Sequence, residues 1–251
     1  MSRPHAKPSF AVQLLKVDGL PAPVEVRRHP TARRLTLRVS RTERVVYLTV
    51  PRHTDLREAD RFVARSLEWV RERLDGVPEP VAFQHGAAIP LRGELHDLAF
   101  VGPQPRAPVV AVVAPATVGQ HPALAVSGNA ANAPRRLKDW LQAEASRDLD
   151  ARVTHHAARL GVRARRLTMR DQKSRWGSCS SSGQLSFSWR LILAPSFVLD
   201  YVAAHEVAHL AEMNHGPRFW RLVEKTLPEY DAARVWLRLR GMELYRYGAE
   251  A

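Results

Sequence analysis

From residue 198 to residue 210 the chain is apolar on nearly every side, through Val198, Leu199, Val202, Ala203, Val207, Ala208 and Leu210. A helix hydrophobic all round belongs in a core, yet this one carries His205, Glu206 and His209. Burying such groups is costly unless something pairs with them. Residues four apart on a helix lie one turn above each other, so His205 and His209 project to one side and can grip a single metal ion. Glu206 lies beside that face, placed to act as general base on a water next to the metal rather than as a ligand. His215, ten residues after His205, supplies a third ligand if the helix stops before it. Asn214 tolerates the left-handed conformation that ends helices, and Gly216-Pro217 turns the chain. The expected element is a helix from Pro195 to about Met213, with His215 folded back beyond it.

Shuffled chains of this composition contain H-E-x-x-H roughly 3% of the time, and roughly 0.1% also carry the third histidine, so chance does not supply the pattern. Three neutral nitrogens with a fourth position open are what catalytic zinc takes. The metzincin pattern shares the histidine spacing but has glycine where this chain has Glu212, so membership of that clan does not follow.

Three runs carry a family likeness: Lys173 to Cys179 (KSRWGSC), Leu185 to Pro195, and His205 to Trp220 (HEVAHLAEMNHGPRFW). Together they resemble the YgjP-like metallopeptidase family, related to SprT-like zinc proteases, over about residues 24–240. The resemblance implies a zincin-type fold, zinc on His205, His209 and His215, catalysis through Glu206, and a protein or peptide substrate.

Around that site, Arg175 is suited to bind an acidic group. Trp176-Gly177 reads as a tight turn with an aromatic lid, unless Trp176 simply packs the core. Leu185 to Trp189 alternates apolar and polar residues. As an edge strand beside the metal helix it would offer Ser186 and its main chain to a substrate peptide. Arg175, Trp176 and Ser186 are therefore the candidate substrate-binding residues. Cys179 is not needed as a nucleophile or ligand, because three histidines complete a catalytic site. Asp200 and Glu212 are candidate acceptors behind the ligand histidines. His121, His155 and His156 lack ligand spacing and read as surface residues.

The rest of the 251 residues reads as an α+β chain: a zincin-like metallopeptidase domain with an N-terminal β-rich portion. Residues 1–22 form a basic leader with three prolines, 23–125 the β-rich portion, and 126–251 the catalytic portion. A hairpin is expected over Leu35–Val50, then one helix capped by Thr54 or Asp55 and running to about Leu74. Short strands are expected near Ala82–Phe83, Ile89–Leu91, Leu98–Val101 and Val109–Val113. Asn132 and Pro134 open a long helix that Gly161 closes. Leu167–Arg170 and Leu185–Arg190 read as strands joined by a polar loop.

No targeting segment is visible, and the most apolar later run, Ala107 to Val118, is broken by Pro108 and Pro115 and cannot span a bilayer. A single cysteine rules out an intrachain disulfide and fits the cytoplasm. The net charge is +13, and only five of the 38 basic residues are lysines. An arginine surplus attracts polyanions, so weak non-specific nucleic-acid binding is an expectation, and some SprT-like proteases act on DNA-bound proteins. The even spread of the arginines argues instead for solvated surface. The charge also keeps a rival in view: a metal-dependent endoribonuclease with a three-histidine site of the same spacing, which does not require Glu206.

Overall fold

The computed structural model describes residues 13–248 apart from 16, 21, 41, 43 and 76. Of the leader expected over residues 1–22, residues 1–12, 16 and 21 thus lie outside the described residues. The chain divides into two compact units, residues 1–78 and 79–251.

The first unit is a four-stranded sheet and two helices. Strands β1 (Gln13–Leu15), β2 (Val24–His29), β3 (Thr36–Ser40) and β4 (Val45–Pro51) are ordered β1-β2-β4-β3. β3 and β4 pair antiparallel, as the alternating Leu35–Val50 stretch predicts, whereas β2 and β4 run parallel. One face of the sheet, through Val24, Val26, Val46, Leu48 and Val50, closes on Ala59, Val63, Val70 and Leu74 from the helices. Asp55 is the cap, accepting the Arg57 N–H. The single helix expected here is two, α1 (Leu56–Arg65) and α2 (Leu67–Leu74). Ser66 breaks it by donating its hydroxyl to the Phe62 carbonyl at 3.0 Å, a local bond that competes with the helix ladder.

The second unit is built round α3 (Ala133–Leu160), which Pro134 starts and Gly161 ends in a left-handed cap. Its buried stripe Leu137, Leu141, Ala145, Leu149 and Val153 faces one hydrophobic core. Strands β5 (Ala88–Leu91), β6 (Glu94–Gly102), β7 (Val110–Val113) and β8 (Ala123–Ser127), ordered β5-β6-β8-β7, give Ile89, Leu98, Val110, Leu124 and Val126 to that core. Ala82–Phe83 is not a strand; only Val81 bridges, to Tyr247. The segment 79–125, which the sequence groups with the N-terminal strands, thus shares its buried surface with α3.

After α3 come β9 (Arg166–Arg170), β10 (Gly177–Cys179) and β11 (Gln184–Ser188), ordered β10-β11-β9. The polar loop therefore hides a strand, β10. Beyond a 3-10 turn (Trp189–Leu193) lie α4 (Ser196–Ala208), α5 (Pro217–Thr226) and α6 (Tyr230–Arg240). The arrangement is mixed α+β, with three sheets and six helices among the described residues. None of those helices is long and apolar enough to cross a membrane.

Candidate metal centre

α4 is buried as its composition requires, with Val198, Leu199, Val202, Ala203, Val207 and Ala208 all in the core. It stops five residues short of Met213. His209 is its C-cap, and the Ala211 and Glu212 N–H groups both donate to the Ala208 carbonyl. The Glu212 carbonyl is thereby freed from the helix and meets His209 Nδ1 at 3.1 Å. Asn214 is not left-handed. The turn is closed instead by the Asn214 N–H donating to the Glu212 carboxylate and the Gly216 N–H donating to the Asn214 carbonyl. Pro217 then opens α5, and His215 is left facing α4.

The outcome is one cluster. His205, His209 and His215 each offer a ring nitrogen, and those atoms lie within 4.8 Å of one another. His205 Nε2 and His215 Nε2 are 3.0 Å apart. Phe219, fully buried on the first turn of α5, lies under all three rings at centroid distances of 4.8, 4.5 and 4.7 Å. Burial, then the neighbouring His209, His215 and Arg234, push His205 down to about 3, and burial likewise lowers His209. Both rings therefore hold a free lone pair at neutral pH, which a metal ligand must have.

The tautomers are set from behind. Tyr201, one turn before His205 on α4, brings its hydroxyl to 3.3 Å from His205 Nδ1. With Nδ1–H donating to that oxygen, Nε2 keeps its lone pair for the cluster, and the Glu212 carbonyl does the same for His209. Glu212 thus supports His209 through its main chain, not its carboxylate. Asp200 supports neither His205 nor His209; it accepts from His156 Nε2 at 2.9 Å, while His156 Nδ1 meets the Thr226 hydroxyl at 2.7 Å. His156 is accordingly a buried tie between α3, α4 and α5 rather than a surface residue.

Glu206 is also buried, at 5% exposure. Its neighbour is the backbone of β10: a Cβ built on Gly177 would lie 2.6 Å from Glu206 Cγ and Oε1. Burial pushes the carboxyl up to about 7, and the charge of Arg175 opposes that shift. The site therefore brings a proton acceptor poised near neutrality beside three nitrogen donors.

The three other candidates are placed differently. Arg175 is exposed, donates to the Gln172 side-chain oxygen at 3.1 Å, and acts on Glu206 through space. Trp176 packs on Tyr245 at 5.0 Å and joins the core, so it is no lid. Ser186 shares a 2.8 Å hydrogen bond with Thr168 on β9. β11 is the central strand of its sheet, paired on both sides, because Ser186 faces Ser178 on β10 and Thr168 on β9. The edge expected there belongs to β10. Trp176 and Ser180 bond their main chains to Ser188 and Gln184, so by antiparallel alternation Gly177 and Cys179 point theirs the other way. The Cys179 thiol, pushed up to about 11 by burial and then by Glu206, is protonated at neutral pH and is a poor nucleophile.

A mixed α+β chain with a buried H-E-x-x-H helix and a third histidine beyond it defines a class: the metal-dependent peptidases. Within that class, residues 33–240 match the family model described as YgjP-like, metallopeptidase domain, and the chain belongs to this family. A metal cofactor and protein or peptide substrates follow from that membership. Among curated proteins, none matches the chain. Among solved structures, the crystal structure of the metallopeptidase zymogen of Pyrococcus abyssi abylysin is similar over a segment. It is 24% identical with a TM-score of 0.33, covering 37% of this chain and 92% of that one.

Proposed function

We propose that the chain is a cytoplasmic zinc peptidase of zincin type, with zinc held by His205, His209 and His215 and Glu206 as general base. The observation that carries this reading is the convergence of three imidazole nitrogens within 4.8 Å beside a buried carboxylate. The donor set fits zinc: three neutral nitrogens, each ring backed or packed, with no fourth protein ligand among the described residues closing the site. Zinc held there would supply Lewis acidity toward a carbonyl and a bound water of lowered pKa. The residues do the rest. Glu206 takes a proton on a carboxylate oxygen from the attacking water and hands it to the departing amine. Phe219 keeps the rings packed, and Tyr201 holds His205 in the tautomer the site needs. The substrate lies along the free edge of β10, bonded by the main chains of Gly177 and Cys179, which places its scissile bond over Glu206. Arg175 steadies the ionised form of Glu206.

Glu206→Gln is expected to keep its zinc and its fold while losing roughly 10²- to 10⁴-fold in peptide hydrolysis, the range general-base removal produces. His209→Ala is expected to lose most of the zinc. Metal analysis and turnover of a fluorogenic peptide mixture check both, and a Glu206→Gln protein that lost its zinc would make Glu206 a ligand instead. The endoribonuclease reading has no use for Glu206, and an RNA-cleavage assay on the same two variants separates it.

A further inference from the structure

A cleft of about 440 Å3 opens beside the histidine cluster, with His209 itself in its wall. Its other walls come from three places. The turn after β10 provides Ser180 to Gly183, the link between α3 and β9 provides Val162, Arg163 and Arg165, and the chain after α4 provides Leu210, Ala211 and Met213. Among the described residues no acid lines it. The Arg165 N–H donates to the Gly183 carbonyl at 2.9 Å, which joins two of these walls. The Arg165 side chain runs over Gly183, with Cγ 3.7 Å from where a Cβ would stand.

Several of its polar side chains have donors to spare. Arg163 and Arg165 are exposed and, among the described residues, neither guanidinium makes an ion pair or side-chain hydrogen bond, whereas Arg92, Arg190, Arg234 and Arg240 all do. The Ser180 hydroxyl accepts the Gln184 N–H and is 2.9 Å from the Ser182 hydroxyl. One hydroxyl hydrogen suffices for the Ser180–Ser182 bond, so the second is free to donate. The apolar walls Val162, Leu210 and Met213 fit methylene groups. Two guanidiniums and a spare hydroxyl over an apolar floor suit a carboxylate on a short aliphatic stem.

We propose that this cleft is a subsite for a carboxylate of the peptide substrate, an aspartate or glutamate side chain close to the scissile bond, held by Arg163 and Arg165. The inference rests on the peptidase reading, and it makes that peptidase selective for acidic peptides. Ser180 in the cleft wall directly follows Cys179, the last residue of β10, so a peptide bonded to that edge would run on toward the cleft. Arg163 and Arg165 also line a second cleft with Arg166 and Asp150, where one acid meets three arginines. That neighbour leaves the local charge balance positive.

Binding tests this apart from turnover. Fluorescein-labelled, C-terminally amidated octapeptides that differ only in one Glu or Gln are titrated against zinc-loaded Glu206→Gln protein by anisotropy. The Glu peptide is expected to bind about tenfold more tightly, as one charge-assisted pair warrants. That advantage should vanish in the additional variant Arg163→Ala/Arg165→Ala. It should invert toward a Lys peptide in Arg165→Glu. An all-Gln peptide with a free C-terminus, compared with its amide, shows whether a terminal carboxylate serves as well. Equal binding of the Glu and Gln peptides would overturn the proposal, as would an advantage that survives both arginine changes. So would arginine variants that weaken only the binding of a labelled oligonucleotide. Wild-type protein that cleaves none of these peptides would sink the peptidase reading, while the binding comparison still decides the subsite.

Discussion

Gly177 has no side chain, and Glu206 occupies the space one would take. A methyl there would sit 2.6 Å from the Glu206 carboxyl, closer than real Cβ contacts come, and Glu206 is too buried to swing aside. Gly177→Ala is therefore expected to displace the Glu206 carboxylate, the general base of the proposed mechanism. Misplacing a reacting group by about 1 Å costs on the order of 10²-fold in rate, so the variant should lose about that much in kcat/KM while keeping full zinc. Near-wild-type turnover would mean that Glu206 acts from a position Gly177 does not fix. The histidines and Glu206 were legible in the sequence because their relation is local: spacing of one and four on a helix, then a turn. Gly177 was visible only as half of a Trp-Gly turn, because its purpose lies in a contact across 29 positions of chain. Tyr201 was legible in principle, since it stands one turn before His205. Phe219 was not, because nothing in its spacing distinguishes a ring under three histidines from an ordinary core residue.

The elements themselves followed the sequence where periodicity was long and failed where a side chain intervened. The 28 residues of α3 carry an unbroken apolar stripe between Pro134 and Gly161, and that helix was read correctly from end to end. α4 was read too long because the Glu212 carbonyl turns to His209, and β10 was missed because three residues are too few for alternation to show. What joins α3, α4 and α5 was hidden too: the His156 bridge between Asp200 and Thr226. Burial works against ionising Asp200, but the hydrogen bond from His156, then the charges of His156, Arg152 and His155, outweigh it and hold the carboxyl below its ordinary value. A carboxyl depressed in the folded state adds stability above its unfolded pKa, near about 3.9, and loses that contribution as pH falls through the folded value. In metal-free protein, Asp200→Asn should be less stable than wild type by about 1 to 3 kcal/mol at pH 7, the worth of a hydrogen bond to a charged group. The difference should narrow steadily below pH 4. Urea melts at several pH values between 3 and 7 measure it, and a difference that stays constant would show that the bridge has no ionic character.

At the scale of the whole molecule the dominant quantity is a net charge of +13, carried almost entirely by arginine. Some arginines are paired with acids and contribute nothing to that net surplus. Arg27 pairs with Glu25, Arg92 with Glu144 and Asp148, Arg190 with Asp171, and Arg240 with Glu243. The unmatched surplus attracts phosphate, because each contact releases condensed counterions from a nucleic acid. The arginines are dispersed along the chain, so we expect few simultaneous contacts, weak affinity and no sequence preference. If three or four phosphates are engaged, the association constant should fall roughly 40- to 150-fold between 50 and 200 mM salt. Fluorescence anisotropy with labelled duplex DNA and single-stranded RNA of mixed sequence, at both salt concentrations, reads this directly. Binding spread over the surface should also change little when any one exposed arginine is replaced. A shallow salt dependence, or affinity that collapses on a single substitution, would point to a built site rather than to a diffuse field. No binding at 50 mM salt would leave the surplus as solvated surface. The proposed metal centre is untouched by that outcome, since the charge bears on which substrates the peptidase meets and not on the chemistry proposed for Glu206.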